Sequence, residues 1–175
     1  IRRSKTAACT SMLSIIFFQT LGVVDSYTKS RQEFLLAIQL PKQRIVTLVQ
    51  GWNMVILSPG KLSVTPELGN AKRYFKTRNH NNLTGHLFRF RNLLIALPED
   101  PQTIPALLQS APDYLFLPGG LKKIDPYLPF ISAKTIVVID GSIPEWRARQ
   151  WCQILGNCQL RYYSTWESGA LRIPI

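Results

Sequence analysis

The sequence predicts an α/β domain, and three observations carry that expectation. The chain has 175 residues at 46% apolar content, enough to bury one core of ordinary size. From Phe34 onward it breaks into short apolar runs separated by turn residues. In the C-terminal half those runs alternate with short helical segments, the pattern of a sheet covered by helices. Charge says nothing about fold but much about partners. The 21 basic residues against 10 acidic give +11, which favours nucleic acid or anionic lipid. Three cysteines with no C-x-x-C spacing exclude a fully paired disulfide scaffold and a zinc knuckle.

A chain that opens on Ile1 is expected to be a processed form or a fragment of a longer protein. Residues 7–24 carry no charge, with Arg2, Arg3 and Lys5 on one side and Asp25 on the other. The length is the lower limit for a membrane span, and Thr10, Ser11, Ser14, Gln19 and Thr20 dilute it. Three readings stay open: a final transmembrane helix over 1–25, a signal peptide, or a buried helix. The first is preferred, because a signal peptide should begin with Met and end in a small-residue cleavage site. If the segment spans, its basic flank puts the following residues outside the cytoplasm. Polar residues 26–33 read as a connector.

Strands are expected at 34–39, 44–49 and 53–57, with Gln50-Gly51 at hairpin spacing and Pro59-Gly60 closing the third. Over 61–91 the chain carries Lys61, Lys72, Arg73, Lys76, Arg78, Arg89 and Arg91 against Glu67 alone. A helix near 66–77 fits there, with Thr65 as N-cap, Pro66 at N1 and Glu67 in the first turn. Asn79 to Asn82 should end it. A strand at 92–97 follows, then a helix capped by Thr103, a strand at 114–117 and a helix near 124–131. The run 134–139 (KTIVVI) is the strongest strand signal. Asp140-Gly141-Ser142 turns into a helix from about 144 to 155, and strands at 159–163 and 169–173 close the order.

The search for catalytic constellations mostly fails. There is no phosphate-cradling P-loop and no G-x-S-x-G elbow. His80 and His86 are the two histidines, and they form no recognisable metal set. Asp140 ends a buried strand, where α/β enzymes place working residues. Its simpler reading is a turn residue, with Ser142 capping the helix that carries Pro144 and Glu145. Cys152 and Cys158 flank a helix end and could pair if their Cα atoms lie within about 7 Å, but buried thiols are expected. Trp146 and Trp151, with Ile154 and Leu155, read as core. Asn82-Leu83-Thr84 would accept glycan only in a eukaryotic secretory protein. Tyr74, Phe75, Phe88 and Phe90 interleave with the cations. That mixture binds single-stranded nucleic acid, although a solvated helix face with its aromatics in the core gives the same pattern. Lys72, Arg73, Lys76, Arg78, Arg89 and Arg91 are the candidate DNA contacts.

Two segments carry a family resemblance. One is Asp113-Tyr114-Leu115-Phe116-Leu117-Pro118-Gly119-Gly120 with Pro129-Phe130, the strand Thr135–Ile139 and Trp146. The other is Thr165-Trp166-Glu167-Ser168-Gly169-Ala170-Leu171-Arg172-Ile173. Together they resemble the C-terminal domain of ComEC-type competence proteins, membrane channels for DNA uptake. The resemblance covers about 34–175 and implies a degenerate metallo-β-lactamase-like domain, with 1–25 ending the membrane region. Metal-bearing members have a His-x-His-x-Asp-His run and an Asp in the first hairpin, and this chain has neither. Gly119 and Gly120 stand where those members carry a His-His-Gly run, and Asp140-Gly-Ser-Ile-Pro144 stands at their His-Pro. A form among the Bacteroidetes is similarly stripped and shares the strand–Asp-Gly-Ser–Trp pattern. No catalytic residue, metal or other cofactor carries over.

The resemblance therefore implies an extracytoplasmic, non-enzymatic domain of a bacterial inner-membrane DNA-uptake channel. Its partners would be single-stranded DNA, the channel part of the same protein and the membrane. The alternatives are a hydrolase or nuclease whose ligands lie in other sequence, and a scaffold that braces the channel.

Overall fold

The computed structural model describes residues 2–40, 43–59, 66–75, 77 and 79–175. Its first element is the long helix α1 (Arg2–Ser30). Strands β1 (Glu33–Leu40), β2 (Gln43–Gln50) and β3 (Asn53–Ser58) follow as an antiparallel meander. Helix α2 (Pro66–Tyr74) leads to β4 (Asn79–Thr84), which lies parallel to β3 at the sheet edge. Side chains alternate across this sheet as a period of two demands. Phe34, Leu36, Ile45, Val49, Met54 and Ile56 face outward, where Ala71 and Phe75 of α2 and its flank cover them. Leu35, Ala37, Val46 and Leu57 face the other way. Both faces are buried, so β1 and β2 read as nearly continuous apolar runs.

The second sheet runs β5 (Leu87–Phe90), β6 (Leu93–Ala96), β7 (Tyr114–Phe116), β8 (Ile136–Ile139) and β9 (Tyr162–Ser164) in spatial order. The hairpin β5–β6 is antiparallel and the remaining pairings are parallel. Parallel pairing requires crossovers. Helix α3 (Ile104–Leu108), a 3₁₀ helix at Asp125–Phe130 and α4 (Glu145–Asn157) supply them. They bury Ile104, Leu107, Ile124, Ala148, Trp151 and Leu155 on the outer face of this sheet. Its inner face, with Phe88, Ile95, Phe116 and Val138, meets the inner face of the first sheet in a shared core. The layers are therefore helix, sheet, sheet, helix. After the short α5 (Thr165–Ser168), strand β10 (Leu171–Pro174) returns to the first sheet and pairs antiparallel with β1, from Phe34↔Pro174 to Ala37↔Leu171.

Several expectations need correction. The connector read at 26–33 is helical through Ser30, so only Arg31 and Gln32 join α1 to β1. The Gln32 side chain fixes that junction by donating to Gly51 O at 3.0 Å and Phe75 O at 3.1 Å. Gly51 has φ +55°, and an added Cβ would lie 2.7 Å from Ser30 O, so the turn beneath α1 requires glycine. Among the described residues no helix is long and apolar enough to cross a membrane, so the spanning expectation for 1–25 is not met. The polar residues that dilute the stretch are the reason. Ser14 and Thr20, two of them, donate their hydroxyls to carbonyls four residues back, while Leu13, Ile16, Phe17, Phe18 and Val24 stay exposed.

Asn79 to Asn82 do not simply end a helix but form edge strand β4, and the LFRF run expected to belong to a basic segment is β5. Thr65, the expected cap of α2, lies outside the described residues. Thr103 does not cap α3, because it sits in the helical region and its hydroxyl donates to Asp100 O at 2.8 Å. The helix expected near 124–131 is a 3₁₀ helix, as suits a segment with Pro126 and Pro129.

Candidate nucleic-acid interface and the cleft at the strand ends

Helix α2, which covers the outer face of the first sheet, includes Lys72 and Arg73, and Arg73 and Tyr74 are exposed. Lys76 and Arg78 lie outside the described residues. Phe75 turns inward and meets Phe34 edge-on, with ring centroids 5.1 Å apart. Arg89 is exposed on β5, between buried Phe88 and half-buried Phe90, whose rings are nearly parallel at 6.5 Å. Arg91 is committed elsewhere: its guanidinium pairs with Glu33 and donates to Ile175 O at 3.2 Å. It thereby ties the β5–β6 turn to the start of β1 and the end of the chain. The candidate cations thus fall on two layers, joined through β4 and Gly85-His86. Of the interleaved aromatics, Tyr74 alone is strongly exposed.

A second constellation lies where the second sheet's parallel strands end. The chain leaves β6 at Leu97-Pro98, β7 at Leu117-Pro118 and β8 at Asp140. Arg44, at the head of β2, reaches all three. Its Nε donates to Asp140 Oδ2 at 2.8 Å, its Nη1 to Pro98 O at 2.9 Å, and its Nη2 to Leu117 O. The side chains of Arg44 and Asp140 are 9% and 2% exposed. The other carboxylate oxygen accepts from the Ser142 N–H at 2.9 Å and from the Ser142 hydroxyl. Ser142 is therefore spent on Asp140 and does not cap α4, whose N-cap is Pro144. Beside the pair lies a cleft of about 310 Å³ lined by Pro98, Glu99, Pro118, Gly119, Gly120 and Ser142. Gly119 is required there, since a Cβ would sit 2.8 Å from Ser142 O.

These residues do not suit a metal. Gly119 and Gly120 offer no donor side chain, Asp140 is saturated, and Glu99 is a single exposed carboxylate. A dication would also face the Arg44 guanidinium at close range. Among the described residues no group of three or more His, Cys, Asp or Glu could hold an ion. His86 keeps its Nδ1 3.4 Å from Leu97 O.

Two expectations about α4 are corrected by its helical phase. Ala148, Trp151, Cys152 and Leu155 share the buried stripe, whereas Trp146 lies off it and is 64% exposed. Cys152 is buried, but Cys158, just past the last turn, is exposed, and both are free thiols. Burial pushes the Cys152 thiol up from its ordinary value. A maleimide should therefore modify Cys158 within minutes in the native protein and Cys152 only on unfolding, as mass mapping of labelled peptides would read.

The family model described as the ComEC C-terminal domain matches residues 35–175. No curated protein and no solved structure matches the chain. The matched stretch begins inside β1, takes in both sheets and the cleft at the strand ends, and closes with the return of β10 to β1. The chain belongs to the ComEC C-terminal domain family.

Proposed function

We propose that this domain serves DNA uptake in competence by contacting or guiding the incoming single strand, without cutting it. The observation that supports a non-catalytic role is the Arg44–Asp140 pair. A guanidinium occupies the strand ends where metal-bearing relatives are expected to assemble their ligands, and it consumes the buried carboxylate there. The helix–sheet–sheet–helix layering supports a metallo-β-lactamase-like ancestry for the fold. DNA contact is supported by the +11 balance and by the exposed Arg73, Tyr74 and Arg89. We place the domain at the bacterial inner membrane, on the periplasmic or extracellular side. Family membership supports that placement. Helix α1 would join the domain to the channel part of the same protein.

The exposed apolar side chains of α1 favour a second reading, in which the domain mainly braces the channel. One experiment separates the two. The protein is mixed with a labelled oligonucleotide or with anionic vesicles over a salt series, with Mg²⁺, Mn²⁺ or Zn²⁺ added in parallel. Guiding predicts salt-dependent binding to the oligonucleotide, which stays intact with every ion. Binding to vesicles alone supports bracing, and cleavage with any ion overturns the non-catalytic role.

A further inference from the structure

The first turn of α4 presents an aromatic to solvent in a setting that resembles a binding surface rather than a packing error. Trp146 is a large apolar residue that folding normally covers, yet it is 64% exposed. The Arg147 guanidinium carbon lies 4.9 Å from its ring centroid, a cation–π contact against one face of the indole. Arg147 is itself anchored, because its Nη1 donates to Leu121 O at 2.9 Å. That bond ties the helix to the Gly119–Lys123 loop, where Leu121 is buried and Lys122 and Lys123 are exposed. Arg149, 73% exposed, meets Glu145 at 2.5 Å in an i,i+4 pair. Such exposed pairs are weak and can be exchanged for another anion. An open cleft of about 540 Å³ lies between Glu145, Trp146 and Arg149.

We infer that Trp146, with Arg149 beside it and Lys122 and Lys123 on the loop that Arg147 holds against the helix, forms a second single-strand contact in which a base stacks on the indole and the cations take the flanking phosphates. The inference rests on the DNA-guiding role proposed above and names where the strand would pass. The loop that begins at Gly119-Gly120 lines the strand-end cleft, so the patch stands on the rim of that cleft. Charge and ring together favour a nucleic acid: an apolar partner would cover the indole but leave the exposed Lys122 and Lys123 unmet, since Glu145 is already paired with Arg149. Stacking on one aromatic side chain is sequence-tolerant, which suits a surface over which any strand must pass.

The test uses the full chain and a fluorescent oligothymidylate, read by anisotropy across a salt series. Trp146→Ala should weaken binding about tenfold with an unchanged salt slope, because stacking releases no counterions. Trp146→Phe should keep most of the affinity. Lys122→Gln with Lys123→Gln should lower the log–log slope by about 1.4, at about 0.7 per neutralised phosphate. Thermal melting checks that each variant is folded. Wild-type affinity in Trp146→Ala, beside a clear loss in a variant of the α2 cations, overturns this site and leaves DNA guiding intact. No binding by the wild-type chain overturns both. Loss of anionic-vesicle binding in Trp146→Ala with unchanged DNA binding assigns the patch to the membrane and overturns the inference.

Discussion

Replacing Arg44 with methionine should destabilise the domain by about 3–5 kcal/mol, a large share of the roughly 5–15 kcal/mol typical of folded domains. The variant keeps most of the buried stem but leaves the Asp140 carboxylate in the interior with Ser142 as its remaining partner. The carbonyls of Pro98 and Leu117 lose their donor in the same step. Asp140→Asn should be costly for the converse reason, because it leaves the buried guanidinium with the carbonyls of Pro98 and Leu117 but no counter-charge. The double change Arg44→Met, Asp140→Leu removes both charges and should recover a large part of the loss, as buried pairs often tolerate apolar replacement. Urea unfolding of the single and double variants measures this cycle. A loss below about 1 kcal/mol in Arg44→Met would show that the pair does not lock the strand ends.

The second large effect concerns the basic segment. Replacing Lys72, Arg73, Lys76 and Arg78 together with glutamine should weaken single-strand binding by on the order of a hundredfold at low salt. The salt slope should fall by up to about 2.8, at about 0.7 for each phosphate left without its cation. Arg91 is left out deliberately, because its guanidinium holds Glu33 and the backbone at Ile175. Exposed changes such as Arg73→Gln typically move stability by less than about 0.5 kcal/mol, so melting should be nearly unchanged. A folded quadruple variant with wild-type affinity and slope would remove α2 and its C-terminal flank from the mechanism.

Where the sequence displayed a period, the fold was legible. β1, β2, β3, β7 and β8 announced themselves as short apolar runs, and α4 as a stripe ending in Leu155. What escaped was set by partners far along the chain. The run NHNNLT has no apolar alternation and becomes β4 because it pairs with β3 in register, from Asn53↔Asn79 to Ser58↔Thr84. LFRF was submerged in a run of positive charge. The return of β10 to β1, which carries the chain's end back to the first sheet, depends on a pairing that no local pattern encodes.

The site was less legible than the fold. Asp140 is legible from its strand-end position, but its partner Arg44 lies in the first hairpin and carries only a faint signal, a charge heading the apolar run IVTLV. Trp146 was readable in principle. Counting helical phase from Ala148, Trp151 and Leu155 places it off the buried stripe, whereas counting aromatics alone put it in the core.

The pairing of β10 with β1 also has a consequence in time. Roughly 130 residues separate Ala37 from Leu171, so at about 5–20 residues per second a ribosome needs on the order of ten seconds to deliver the second after the first. Throughout that interval β1 has β2 on one side and a bare row of amide and carbonyl groups on the other, with apolar Leu35 and Ala37 beside it. A bare edge of this kind recruits whatever extended chain is near, including another nascent copy. The edge is thus open to misassembly while the domain is still being made and is closed once β10 arrives.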